Sequence, residues 1–467
     1  MAYGDIRQYI ASLARTGELL EIDAEVDPIE ELGAICRKVL DEDGPAILFN
    51  NVQGYDYPVI ANMLATPGRI AQALEVPVEE LTEEYTRRTS GADLQRQPLV
   101  DTGPCKEVTI TSDELDLRQL VPQILSNPED GGAYLNYGLV IMKDPDTGLR
   151  NMGIYRMQIR DNNRTGLWSS PTSHGGTIRV KGDMANRKTE IAVCIGADPL
   201  LYVASQIPGL DLGVDEIELA AAMRGESYEM VKCDTLDLEV PAHCQMVIEG
   251  YILPNEKEEE GPYGEYPGYY GPVGQQPVIE FHHATRRKDP VYAYTYLGLP
   301  PTETHAMGQM MGEAGYLQRL RAQTAPTVKD VYCPLDMHTI IVSLKKTYEE
   351  QAKHVIYDLW STRSGKTVIV VDDDIDPRNS ELVYWAISQR CHASRDVMIV
   401  DGMCTIGPST MKYPGSDIAN KMGIDATAPL SGYPAMSRPH PEMMERVEKR
   451  WGELTTPKTD KLRRAGK

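Results

Sequence analysis

The chain has 467 residues, 41% of them hydrophobic and 25% charged, a balance that sustains buried cores rather than disorder. Length alone favours two or three domains. The formal charge of −22, from 47 basic and 69 acidic residues, argues against nucleic acid or an anionic membrane surface as the partner, although a local arginine can still bind a small anion.

Eight cysteines are scattered without a CxxC pair or zinc-like spacing, which reads as free thiols in a reducing cytoplasm. The first residues lack the basic-then-apolar pattern of a signal peptide, and no apolar run approaches the ~20 residues of a membrane span. The expectation is a soluble, intracellular protein.

In chain order, residues 5–16 read as an amphipathic helix with Ile6, Tyr9, Ile10 and Leu13 on one face and Gly17 as its stop. Short strands at 46–49 and 59–63 and helices near 67–75 and 78–89 follow. The irregular stretch 94–104 marks a boundary. From about 106 the pattern becomes one of short strands, at 108–110, 136–142, 154–159, 177–180, 190–195, 245–252, 278–283 and 291–296, with one helix near 215–224. That pattern predicts a β-barrel or sandwich. From about 337, strands at 339–344, 367–371 and 397–400 alternate with helices at 348–360 and 380–390, predicting a small α/β layer with parallel strands. A final amphipathic helix is expected at 442–454, followed by a charged tail at 458–467.

The segment EKEEEGPYGEYPGYY, residues 256–270, is the most informative. Its glycines and prolines make it a shaped loop, and a GPYG turn separates Glu260 from Glu265. Two carboxylates brought to one pocket repel, so one is driven towards its proton-bearing form. Glu256, Glu258 and Glu259 read instead as solvated acids. NMGIYR supplies Asn151, a neutral oxygen donor suited to a hard cation, and Arg156, whose fork fits a carboxylate. PTSHGG places His174 before two glycines, able to ligate a metal or to sit in an ordinary loop. Glu216 lies at a helix start, where an acid also simply favours the dipole. NKMGIDAT carries Lys421, within reach of a phosphate. Asp372–Asp374 is either a ligand-facing or a solvated strand end, and His282–His283 reads as structural.

Together these segments resemble the UbiD family of prenylated-flavin-dependent decarboxylases, from EGPYGEYPGYY through NMGIYR, SHGG, LAAAMRGES and VKCDTLDLEVPA to NKMGIDAT. The resemblance implies an α+β fold with an N-terminal α/β domain (1–105), a central split β-barrel flavin-binding domain (106–325) and a C-terminal α/β oligomerisation domain with a terminal helix (326–467). It implies Arg156, Glu260 and Glu265 as the catalytic set, with Arg156 facing the substrate carboxylate and Glu265 as proton donor. It further implies Asn151, His174 and Glu216 as ligands of Mn2+, with K+ or Na+ beside it. Ile154, Tyr155, Arg156, Ser173 and Lys421 become contacts of prenylated FMN. The implied partners are a small carboxylic acid, a flavin prenyltransferase that supplies the cofactor, and further copies of the chain as a homodimer or homohexamer.

The substrate range implied runs from aromatic and heteroaromatic to α,β-unsaturated acids, with a polyprenylated hydroxybenzoate as the alternative. Residues 302–311 are expected to line the pocket, with Gly308 leaving space for a ring. Two other classes stay open on the residues alone: a manganese hydrolase or lyase without flavin, and a non-catalytic subunit of a larger complex.

Overall fold

The computed structural model describes residues 3–208, 210, 213–404, 409–413, 416 and 418–455. The fold is mixed α/β, with three main sheets. The first has four strands, in the order Leu19–Ile22, Ala46–Phe49, Val59–Ala61 and Tyr292–Ala293. The opening helix Ile6–Thr16 packs on it through the expected apolar face, and Asp5 caps it by accepting from the Arg7 and Gln8 amides. Gly17, in the left-handed conformation, ends it.

The strand expected at 291–296 shrinks to Tyr292–Ala293 and joins this N-terminal sheet, parallel to Val59–Ala61. A distant part of the chain thus completes the first layer. One apolar core runs continuously from Tyr3 to Ala314.

The second sheet is antiparallel and has seven strands. Its path runs Val108–Ile110, Gly274–Arg286, Met246–Glu260, Thr189–Ile195, Leu139–Lys143 and Arg150–Ile154, with Arg164–Gly166 added alongside Gly274–Arg286. The expected barrel is not closed: among the described residues the end strands of this path do not pair with one another. Val108–Ile110 is only three residues long and meets Gly274–Arg286 at residues 284–286 alone.

The strand expected at 177–180 is instead the interior of the helix His174–Met184. Thr177, Ile178 and Val180 favour a strand by propensity. The Ser173 cap, accepting from the Gly176 amide at 3.1 Å, starts a helix there.

The third sheet orders Val328–Tyr332, Thr339–Leu344, Thr367–Asp372, Ile418–Ala426 and Val397–Cys404. Its inner pairs are parallel, as expected, but both outer pairs are antiparallel. The central strands are buried on both faces: Ile340, Val342, Val368 and Val370 face one core, Ile341, Ile369 and Val371 the other. The terminal helices Pro441–Lys449 and Trp451–Thr455 bury nothing within the chain. The expected tail at 458–467 lies outside the described residues.

The helix Glu303–Gln323 joins the main core to the third sheet, and the sequence pattern hid it. Gly308, Gly312 and Gly315 dilute its helical signal. Gly308 does not open space for a ring, because Met337 occupies that space: a Cβ at Gly308 would meet Met337 Cε at 2.5 Å.

Glu303, at the start of this helix, is fully buried and accepts from the Leu64 amide at 2.8 Å. Burial raises its carboxyl from 4.5 to about 7, against the hydrogen bonds it receives. Between those values the unfolded group ionises while the folded one keeps its proton, so folding stability is present at low pH and falls as the pH rises through that window. Urea titrations from pH 4.5 to 7 are expected to show this decline, and Glu303→Gln is expected to flatten it.

Candidate active site

The strand Met246–Glu260 changes character along its length. It is buried to Leu253, largely exposed over 255–259, and ends on Glu260, which is 0% exposed. Glu256, Glu258 and Glu259 are therefore the solvated acids expected, and Glu256 pairs with Arg164. Glu260 is different because Arg156 meets it. The guanidinium donates from Nε to Oε1 at 3.0 Å and from Nη2 to Oε2 at 2.9 Å, a bidentate pair. Its remaining nitrogen, Nη1, is in short contact with Glu265 Oε1.

The sequence spacing put both glutamates beside one pocket, and the structure brings both onto one arginine. Trp168 and Tyr263 wall that arginine, with ring centroids 4.2 and 4.9 Å from Cζ. Burial works against the Arg156 charge, yet pairing with Glu260 and Glu265 holds its pKa above the ordinary value. For Glu265 the balance goes the other way. Burial raises its pKa, Arg156 opposes, and the neighbouring charges of Glu260 and Asp130 raise it further.

A second constellation forms around Glu216. Asn151, on Arg150–Ile154, donates from Nδ2 to Glu216 Oε1 at 2.9 Å, and the Met152 amide donates to Glu216 Oε2 at 2.9 Å. His174 Nδ1 lies 4.0 Å from Glu216 Oε1, the oxygen that accepts from Asn151. Glu216 opens the helix Glu216–Arg224, where an acid favours the dipole, and its carboxylate meets Asn151. His174 is the first residue of a helix rather than a loop residue. Burial pushes the Glu216 carboxyl up to about 7, and the Asn151 Oδ1 oxygen is buried without a partner. An acid lacking a counter-charge, an orphaned carbonyl oxygen and an imidazole fit a hard divalent cation.

Tyr155 precedes Arg156 in the chain. Its hydroxyl stands against Ser173 and Gly175 at the start of the His174–Met184 helix, an N-terminus suited to a phosphate. Ile154 closes its strand beside them, opposite Leu139. Lys421 is not brought to this group among the described contacts. It is buried in the third sheet, where Nζ donates to the Ser364 carbonyl at 2.8 Å and burial lowers its pKa to about 8.

Among the described residues, one compact cluster of His and carboxylate groups lies elsewhere, at Asp234, Glu249 and His283. The Lys106 ammonium already sits on Asp234, and Glu249 accepts from the Asp234 and Thr235 amides, so that network is internally satisfied. His283 is thereby structural, as its strand position implied. Asp372 and Asp374 are likewise accounted for, both clamped by the buried Arg390.

Sequence reasoning missed Trp168, Tyr263, Gln158 and Asp130. Tyr263 was within reach, since it lies between the two glutamates. The others carry no spacing signal, and only the fold brings them to Arg156 and the turn.

A family of carboxy-lyases has this architecture. Three family models match in order: the N-terminal domain (residues 10–89), the Rift-related domain (98–300) and the C-terminal domain (305–426) of 3-octaprenyl-4-hydroxybenzoate carboxy-lyase. An uncharacterised protein of Archaeoglobus fulgidus is 35% identical, over 97% of this chain and 99% of that one. The solved UbiD-class enzyme HmfF from Pelotomaculum thermopropionicum, in complex with FMN, is 35% identical with a TM-score of 0.85, covering 95% and 99% of the two chains. Vanillic acid decarboxylase of Sedimentibacter hydroxybenzoicus is 29% identical with a TM-score of 0.86, covering 98% and 100%. The chain belongs to the UbiD family and is a carboxy-lyase of the prenylated-FMN class.

The Arg156–Glu260 pair is buried, so removing the cation leaves an uncompensated carboxylate. Arg156→Ala is expected to cost roughly 3–5 kcal/mol. Arg156→Ala combined with Glu260→Gln should recover much of that loss, both read by urea unfolding of the cofactor-free protein.

Proposed function

We propose that this protein catalyses reversible, non-oxidative decarboxylation of an aromatic, heteroaromatic or α,β-unsaturated carboxylic acid. The observation that carries this reading is Arg156, held bidentately by buried Glu260 while its third nitrogen reaches a carboxylate with a raised pKa. Loss of CO2 from an sp2 carbon leaves charge the substrate cannot delocalise; bound prenylated FMN supplies the electron sink. Asn151, His174 and Glu216 would hold Mn2+, with K+ or Na+ adjacent, against the cofactor phosphate. Ile154, Tyr155 and Ser173 would line its site. Lys421 would need to leave Ser364 to join them.

The protein's own residues account for the rest. Glu260 fixes two edges of the guanidinium, so only Nη1 is free to change partners. A substrate carboxylate approaching Arg156 competes with Glu265 for that nitrogen. Displaced, Glu265 loses its cation and is driven further towards the acid form by burial and by Glu260. It takes up one proton from solvent and delivers it to the carbon that CO2 leaves. Trp168 and Tyr263 exclude water from the guanidinium and strengthen its hold on the carboxylate. The raised pKa of Glu265 extends the proton-donating form to higher pH, so decarboxylation should fall as the pH rises through it.

The family's split-barrel description of the central region and the division at 105 and 325 belong to the same reading. So do a cytoplasmic location, with all eight cysteines free, and supply of the cofactor by a flavin prenyltransferase. A polyprenylated hydroxybenzoate is the less favoured substrate, because Glu265 stands where the quinone-pathway branch of the family carries Asp. The flavin-free metal enzyme and the non-catalytic subunit are disfavoured by the complete arginine–glutamate set.

The test is to co-express the protein with a flavin prenyltransferase, add Mn2+, and record the absorption spectrum and mass of bound cofactor. About one prenylated FMN per chain and CO2 release from aromatic acids are expected. Glu265→Gln should retain cofactor and lower turnover by roughly 10²–10⁴-fold. Protein that stays flavin-free under these conditions would overturn the assignment.

The C-terminal domain exposes Ile399 on its edge strand, Tyr384 and Trp385 on the helix Ser380–Arg390, and Met443, Met444 and Trp451 on the terminal helices. Such a surface fits a second copy of the chain. Light scattering is expected to give a dimer or a multiple of it, and Trp451→Glu with Ile399→Lys is expected to lower the mass. An unchanged mass would remove these residues from the interface.

A further inference from the structure

The segment 126–132, SNPEDGG, grips the turn that carries Glu265, and no role was read for it in the sequence. Asp130 Oδ1 accepts from the Gly264 amide at 2.7 Å, one residue before Glu265. Its other oxygen accepts from the Asn127 amide at 3.0 Å. On either side, the Gly131 amide donates to the Pro262 carbonyl at 2.7 Å and the Glu129 amide to the Tyr270 hydroxyl at 3.2 Å. Asn127 in turn accepts from the Tyr296 hydroxyl at 3.0 Å. Gln158 bridges the two segments, accepting from the Gly261 amide and donating to the Gly131 carbonyl. A side chain at Gly264 would collide with Asn127, and one at Gly131 with the Gly261 carbonyl. The turn is therefore clamped along its length, and Asp130 is the residue whose carboxylate takes part in the clamp.

We propose that Asp130 is a positioning residue for Glu265, fixing its turn through the Gly264 amide and setting a second negative charge beside its carboxylate. The inference rests on the reading of Glu265 as the proton donor. Three elements present charges to Glu265: Arg156 after the strand Arg150–Ile154, Glu260 at the end of Met246–Glu260, and Asp130 from the clamp. Tyr263 and Tyr266 flank it on its own turn, and beyond Tyr266 stand the His305 and His338 rings. Glu260 is neutralised bidentately by Arg156. Asp130 accepts from neutral amides, and burial raises its own pKa against those hydrogen bonds. Asp130 thus acts with burial and Glu260 against the pull of Arg156 on Glu265.

The test uses metal-free and flavin-free protein, so it does not depend on turnover. Water-soluble carbodiimide with an amine traps carboxyls in the proton-bearing form, and peptide mass analysis reads Glu265 by itself across pH. In Asp130→Asn, whose carboxamide oxygen can still accept from Gly264, the Glu265 midpoint is expected to fall by roughly half a unit or more at unchanged fold. A midpoint equal to that of the wild type would overturn the proposal. Should the variant misfold, the wild type decides: its Glu265 curve must show a second inflection where Asp130 itself becomes labelled, and a single-step curve contradicts coupling. In loaded enzyme, the alkaline limit of decarboxylation should move down with the midpoint. Inactive wild-type enzyme with a shifted midpoint would instead indict the functional reading and leave the electrostatic coupling standing.

Discussion

The site depends on a guanidinium buried with only one anionic partner that fully satisfies it. Arg156 and Glu260 are almost wholly removed from water, so each makes the other's burial tolerable. That pairing consumes two edges of the arginine and leaves the third for an exchangeable carboxylate. Everything nearby serves this arrangement. The strand Met246–Glu260 crosses from core to solvent and back to deliver Glu260, and its pairing with Gly274–Arg286 sets where the intervening turn closes. Trp168 and Tyr263 supply low-dielectric walls that strengthen the contact of Nη1 with Glu265.

A chain with a formal charge of −22 cannot hold a phosphate by its overall field. Asn151, Glu216 and His174 converge from a strand and two helix starts, and their donor set fits a hard divalent cation.

Much of this was legible in the sequence, for identifiable reasons. Glu260 and Glu265 announced themselves because glycine and proline bracket them, and the solvated acids beside them were separable because nothing shapes their surroundings. The C-terminal strands were legible because both their faces are apolar. The helix Glu303–Gln323 was not, because its glycines accommodate neighbours such as Met337 rather than mark a turn. His174 was misplaced in a loop because β-branched residues follow it, whereas capping by Ser173 decides its conformation. The clamp around Asp130 stayed hidden because its meaning lies in backbone amides more than a hundred residues away.

The most direct test of the account is deuterium incorporation by prenylated-FMN-loaded protein turning over an aromatic acid in D2O. The account predicts one deuterium at the carbon that carried the carboxylate, with both incorporation and CO2 release collapsing in Glu265→Gln while cofactor content is unchanged. A Glu265→Gln enzyme that incorporates deuterium at the wild-type rate would contradict it.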